Sequence, residues 1–239
     1  MERSEGKIFI VATPIGNLAD ITFRAVEILK SVDFILCEDT RVTKILLDHY
    51  KISKPLSVVN AKNETKIIAK VIERIQSGES CALVSDAGTP CISDPGVRLI
   101  NNAIYNRLEI IGIPGPNAAI LALSISGIPT DSFIFEGFLP QKKGRQKILS
   151  QLSSEERTIV LYESTYRIKK LLEELSVHMP ERQLVIAREL TKKFEETWRG
   201  TASFILSGFN EKISKGEFVV IIAPLNWIER EQSDHSASY

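Results

Sequence analysis

Short apolar runs alternate with segments of helical period along the first half of this chain, and the runs have no polar face. "KIFIVA" (7–12), "DFILCE" (33–38), "CALVS" (81–85) and "LEIIGI" (108–113) are too short for helices, and their interiors are apolar at consecutive positions. A strand that is apolar on both sides must be covered on both sides, which points to a parallel sheet between helices. The intervening segments supply those helices. "ITFRAVEILKSV" places Phe23, Val26, Ile28 and Leu29 largely on one face, with Asp20 as its expected N-cap. "NETKIIAKVIERIQSG" carries Ile67, Ile68, Val71, Ile72 and Ile75 at helical spacing, with Gly78 as a stop. "RVTKILLDHY", "VRLINNAIYN" and "NAAILALSISG" read as further helices, and "KPLSVV" as a further short strand.

The rhythm changes at "SGIPTDSF" (126–133), where Gly, Pro and Asp cluster, and a domain boundary is expected there. The expected division is an N-terminal α/β domain over 1–128, a C-terminal α/β domain over 129–226 and a polar, disordered tail over 227–239. In the second domain "FIFEGFLP", "RTIVLYE", "QLVIARE", "ETWRG" and "GEFVVIIAP" read as strands. "KKGRQKIL", "TYRIKKLLEEL" and "TASFILSGF" read as helices. The greater strand share favours a mixed sheet with antiparallel neighbours.

In an open parallel sheet, ligands bind beyond the carboxyl ends of the strands. The loops to inspect are therefore "TPIGN" (13–17), "EDTR" (38–41), "SDAGTPCISDPG" (85–96) and "PGPNA" (114–118). Each alone is explained by turn and cap chemistry; four at one sheet edge suggest a site, where Gly and Pro bring bare backbone close to a ligand. The first loop has a single Gly and so lacks the dinucleotide fingerprint, and no GxxxxGK[ST] occurs. In the long loop, Asp94-Pro95 suits the N-cap and first position of the next helix. "EDTR" serves equally as a helix cap or as a polar substrate contact. Glu163, Arg188, Glu189 and Lys192 stand at strand ends and could pair among themselves. "KKGRQK" (142–147) fits a solvated helix face.

Charge removes some function classes. Thirty basic residues balance thirty acidic ones, so any nucleic-acid contact needs a local basic face. Cys37, Cys81 and Cys91 are not in metal spacing and read as buried thiols of a reducing compartment. Three isolated histidines argue against a metal or histidine-based site. The N-terminus fits neither a signal peptide nor a membrane span, which places the chain in the cytoplasm.

Eight segments in order, "TPIGNLADIT", "EDTR", "SDAGTPCISDPG", "PGPNAAILALSISGIPTDSFIFEGFLP", "YESTYR", "ARELTK", "ETWRG" and "KGEFVV", resemble the ribosomal RNA small-subunit methyltransferase I family of the tetrapyrrole (corrin/porphyrin) methylases. The resemblance runs from about Lys7 to Pro224. It implies a two-domain fold with a parallel-sheet N-terminal domain, a mixed-sheet C-terminal domain and S-adenosylmethionine in the cleft between them. It implies methylation of the ribose 2′-hydroxyl of cytidine 1402 in 16S rRNA, with the 30S subunit as partner and a cytoplasmic homodimer as the working form. It carries a cofactor role onto Pro14 and Gly16, onto Asp86, Ala87, Gly88 and Thr89, and onto Asn117 and Ala118. Tyr162, Leu190 and Phe218 fall near positions that line the adenosyl pocket in the family.

The chain departs from the family at "NAKNE" (60–64), where members commonly have a His-rich segment, and it ends at Tyr239 without a further helical segment that many members carry. The first removes any RNA contact or catalytic help that those histidines give in the family, leaving Asn63 and Glu64; the second implies a weaker hold on RNA, or one needing more ribosomal surface. A ribose hydroxyl needs a proton acceptor or charge stabilisation to attack a sulfonium methyl. Glu38, Arg41, Glu163 and Lys192 are the candidates, with Glu38, Asp39 and Arg41 on the substrate side and the base left open among Glu38, Glu163 and Lys192. The alternatives are a tetrapyrrole methyltransferase and a non-catalytic ribosome-associated protein that retains the fold.

Overall fold

The computed structural model describes residues 6–59, 64–209 and 216–227; the tail and most of "NAKNE" lie outside them. The chain divides into two compact units, Met1–Leu121 with Leu190–Lys193, and Ala122–Glu189 with Phe194–Tyr239.

The first unit is built on strands β1 (Lys7–Val11), β2 (Phe34–Cys37), β3 (Leu56–Val58), β4 (Cys81–Leu83) and β5 (Glu109–Ile113), in the order β3-β2-β4-β1-β5. Every pairing is parallel. Helices α1 (Phe23–Ser31), α2 (Thr40–His49), α3 (Glu64–Gln76) and α4 (Val97–Tyr105) connect them, and α5 (Ala118–Ser126) follows β5. Two separate buried clusters account for the two-faced strands: Ile8, Phe34, Leu36 and Leu83 belong to one, and Val11, Ile35, Cys37 and Val84 to the other. Successive residues of β2 thus alternate between clusters, as a period of two requires.

Two expected caps move. Asp20 ends a short 3-10 turn (Leu18–Asp20), and Thr22 caps α1 by accepting from the Ala25 N–H at 3.1 Å. Starting the helix two residues later turns Phe23 out to solvent, leaving Ala25 and Leu29 buried. Asp94 does not cap α4. Gly96 does, at φ +125, where its built Cβ would fall 2.7 Å from Leu83 Cδ2. The tight approach and the positive φ leave that position to glycine.

In the second unit, β6 (Phe133–Phe138), β7 (Thr158–Ser164), β8 (Gln183–Arg188), β9 (Glu196–Thr201) and β10 (Glu217–Ile222) form a sheet ordered β6-β7-β10-β8-β9. The β6–β7 pair is parallel and the others are antiparallel. Helices α6 (Arg145–Leu152), α7 (Ile168–His178) and α8 (Ala202–Ser207) pack on the face bearing Ile159, Leu161, Leu184, Ile186, Val220 and Ile222.

Candidate active site

The strand order makes the crevice. From β2 the chain turns outward to β3, and from its neighbour β4 it crosses the other way to β5. Adjacent strands whose connections diverge leave a gap at their carboxyl ends. Glu38 and Asp39 follow β2 there, and Asp86 follows β4. The Asp39 N–H donates to Asp86 Oδ1 at 3.0 Å and closes the base of the gap. Beside it a pocket of about 110 Å³ is lined by Thr13, Pro14, Val42, Thr43, Ser85 and Asp86 among others.

The four loops do meet at one edge, and hydrogen bonds join them all, the second through the Asp39–Asp86 bond. Thr13 and Gly88 exchange backbone hydrogen bonds at 2.8 and 3.1 Å. The Thr13 hydroxyl donates to the Ser85 carbonyl at 3.2 Å, and the Thr89 hydroxyl to the Pro116 carbonyl at 3.1 Å. Gly88 has φ +81, and within the same loop Cys91 (+70) and Ser93 (+65) hold left-handed conformations that side chains disfavour. Such strain persists only where surrounding contacts enforce it, and it collects at ligand sites. Asn117 caps α5, its side-chain oxygen accepting from the Ile120 N–H at 3.2 Å, with Ala118 as the first helical residue. Ala87 is exposed between Asp86 and Gly88.

Gly16 explains a further assembly. Although it is solvent-exposed, a Cβ there would lie 2.4 Å from Lys192 Cγ, 2.7 Å from Thr191 Oγ1 and 2.9 Å from the Leu190 carbonyl. The segment Leu190–Lys193 thus belongs to the first unit and brings Lys192 and Leu190 against the first loop.

Electrostatics separate the carboxylates. Arg41 donates to Asp39 at 2.5–3.2 Å and holds its carboxyl down at about 2. Asp39 also accepts from the Arg41 N–H at 2.8 Å as the cap of α2, so it stays ionised. Glu38 goes the other way: burial raises it from the ordinary 4.5, and Asp86, Asp94 and Asp39 add repulsion. Asp86 is raised by burial, against the opposing hydrogen bond from the Asp39 N–H. Asp94 is pushed up to about 6 by burial and the nearby Asp86, against a hydrogen bond to Ser85. Three carboxyl groups with raised proton affinity form an environment that accepts a proton or a ligand's positive charge. Asp94 is the residue that sequence reasoning missed. Its Asp-Pro-Gly context suits a cap so well that burial beside Asp86 was invisible.

In the second unit, Glu163 is buried, 2.8 Å from Arg167 Nε and 3.7 Å from Arg145 Nη2. Arg145 also meets Glu174 at 2.7 Å. Glu163 is an anchor between two guanidiniums, and its partners are not the strand-end ions that the sequence suggested. Tyr162 and Phe218 occupy opposite faces of the sheet. Tyr162 packs with Phe135 and Phe138, ring centroids 5.0 and 5.6 Å away. Phe218, 2 % exposed, joins the helix-side core near Trp198, so its ring is filled against protein.

The comparisons agree with this architecture. The family model for Tetrapyrrole (Corrin/Porphyrin) Methylases matches residues 7–205. Ribosomal RNA small subunit methyltransferase I of Thermotoga maritima is 44% identical over 218 residues, covering 91% of this chain and 98% of that protein. The Synechocystis sp. protein of the same name is 47% identical, covering 91% of this chain and 79% of its own. Among solved structures, a cobalt precorrin-4 methyltransferase superposes with a TM-score of 0.68 at 16% identity, covering 91% of this chain and 94% of that one. A Thermus thermophilus uroporphyrin-III C-methyltransferase complexed with S-adenosyl homocysteine gives 0.62 at 14%, covering 92% and 98%. At such identities the structures speak for the fold alone, whereas the sequence relatives speak for descent. This chain belongs to the ribosomal RNA small subunit methyltransferase I family within the tetrapyrrole methylases.

Proposed function

We propose that the chain transfers a methyl group from S-adenosylmethionine to small-subunit rRNA, and that its acceptor is the ribose 2′-hydroxyl of cytidine 1402 in 16S rRNA. The observation that carries this reading is the trio Glu38, Asp86 and Asp94 at the switch-point crevice, in a chain whose relatives are named as rRNA methyltransferases. The residues present fit the cofactor. Gly88 holds a positive φ that opens the backbone, and the carboxyl groups match a sulfonium's charge. Asp86, Ala87, Gly88 and Thr89, with Pro14, Gly16, Asn117, Ala118 and Leu190, would hold it. When bound, S-adenosylmethionine supplies an electrophilic methyl carbon.

The chain's own residues do the rest. Glu38 accepts the hydroxyl proton. Among the base candidates it is favoured over Glu163, whose carboxylate is committed to Arg145 and Arg167. Arg41, its side chain 88% exposed and oriented by Asp39, binds a phosphate of the RNA. Lys192, beside Gly16, adds positive charge for the developing oxyanion. We place the enzyme in the cytoplasm as a homodimer acting on the 30S subunit; no described helix is long and apolar enough to cross a membrane.

Radiolabelled methyl transfer to unmethylated 30S subunits, naked 16S rRNA and uroporphyrinogen tests the reading. Label on a ribose of the subunit is expected. Label in the tetrapyrrole alone, or no label and no cofactor binding, would overturn it.

A further inference from the structure

The basic segment after β6 looked like a solvated helix face in the sequence, but the structure places it beside a second loop. Strands β6 and β7 are parallel neighbours, so the loops that follow them leave the sheet at the same edge. Segments 139–147 and 164–170 together hold seven Lys or Arg and no Asp or Glu. Arg145 and Arg167 are spent on Glu163 and Glu174. Lys142, Lys143, Lys147, Lys169 and Lys170 are exposed.

Two aromatic rings stand in this field. Tyr166 is 96% exposed and Phe138 51%. The backbone that carries them is rigidly tied. Arg167 donates to the Leu139 carbonyl at 3.3 Å and to Ser164 Oγ at 3.2 Å, with its guanidinium 5.9 Å from the centre of the Phe138 ring. Arg145 donates to the Pro140 carbonyl at 3.2 Å, and the Thr165 hydroxyl to the Gly216 carbonyl. A large ring held out in water on a stitched loop gains nothing for folding. Its face is available to a flat partner, and little ordering cost remains to be met on binding.

We propose that this edge of the second unit is an RNA-docking surface, on which Tyr166 stacks an unpaired base and Lys142 and Lys143 hold the adjoining phosphates. Exposed aromatic rings beside five exposed lysines, with Glu217 at the neighbouring strand position to Ser164 as the nearby acid, select single-stranded RNA over an acidic protein, which would need no ring, and over a duplex, whose bases are already stacked. The proposal rests on the rRNA reading above and adds to it a docking surface built from residues that have no part in the chemistry.

The test is RNA affinity of the full chain for a single-stranded oligoribonucleotide of decoding-site sequence and for unmethylated 30S subunits, measured across a salt series. Tyr166→Ala is expected to weaken binding roughly tenfold, and Tyr166→Phe to restore it. Lys142→Gln/Lys143→Gln is expected to flatten the slope of log affinity against log salt by about 1.4. Both variants should bind S-adenosylmethionine as the wild type does, which shows that they are folded. Wild-type RNA affinity in Tyr166→Ala and in the lysine double variant would overturn the surface and leave the rRNA reading standing. A wild-type chain that binds neither RNA nor subunit would overturn both. Equal losses in Tyr166→Phe and Tyr166→Ala would overturn the stacking role.

Discussion

At neutral pH an ionised Asp94 sits half-buried near a second carboxyl group, a state that the unfolded chain does not impose. Its folded value of about 6 stands above the ordinary 3.8. The folded state therefore binds the proton more tightly, and the associated stability is full below pH 4 and lost as pH rises through about 6. Asp94→Asn should melt like the wild type near pH 4 and at a higher temperature above pH 6.5. Thermal melts across that range check it, and parallel curves would refute it. Glu38 is raised in the same sense, so a base at this position should give a rate that rises with pH through a value above 4.5. Glu38→Gln should lower kcat by about 10²–10⁴ while cofactor affinity persists; single-turnover rates and calorimetry separate the two. Gly16→Ala should displace Leu190–Lys192, costing about 1–3 kcal/mol by overpacking and weakening cofactor binding, both readable in a melt with and without S-adenosylmethionine.

At the scale of elements, the buried ions of the second unit make the sharpest case. Glu163 closes a chain of contacts from β7 through Arg145 to Glu174 on α7. Removing one charge from such a buried set leaves its partner uncompensated, at about 3–5 kcal/mol. Glu163→Gln should thus lower the unfolding free energy by that margin, read as a lower denaturant midpoint at unchanged m-value. Unchanged stability with lost turnover would instead return Glu163 to the chemistry. The positions of the elements were legible because apolar runs and helical periods are local. Their caps were not: Thr22 and Gly96 replace Asp20 and Asp94, since two or three polar residues in each turn could serve and only packing chooses among them. The opposite orientations of Tyr162 and Phe218 were equally hidden, because strand register decides which face a residue takes.

Across the whole molecule, charge and thiols report on the same partition between surface and interior. Thirty charges of each sign leave no net charge, so RNA must be held by local arrangement, as at the β6–β7 edge. The three thiols give a count. Burial pushes Cys81 up to about 12 and raises Cys37, while Cys91 is half-buried. A thiol reagent at pH 8 should modify Cys91 alone in the native protein and all three in denaturant. Rapid native labelling of Cys81 would contradict the packing of β4.

The two sheets, the edge at which four loops gather and the family could all be read from residue order, because periodicity and motif order are local properties of the chain. Which carboxyl groups share an environment could not. Asp39 and Glu38 are neighbours in the chain, yet one is held ionised by Arg41 and the other is raised by burial and by Asp86. Glu163 became an anchor, Asp94 joined the crevice and Leu190–Lys193 came to Gly16 by the same cause: desolvation and charge pairing depend on distances through space, which the order of residues does not state.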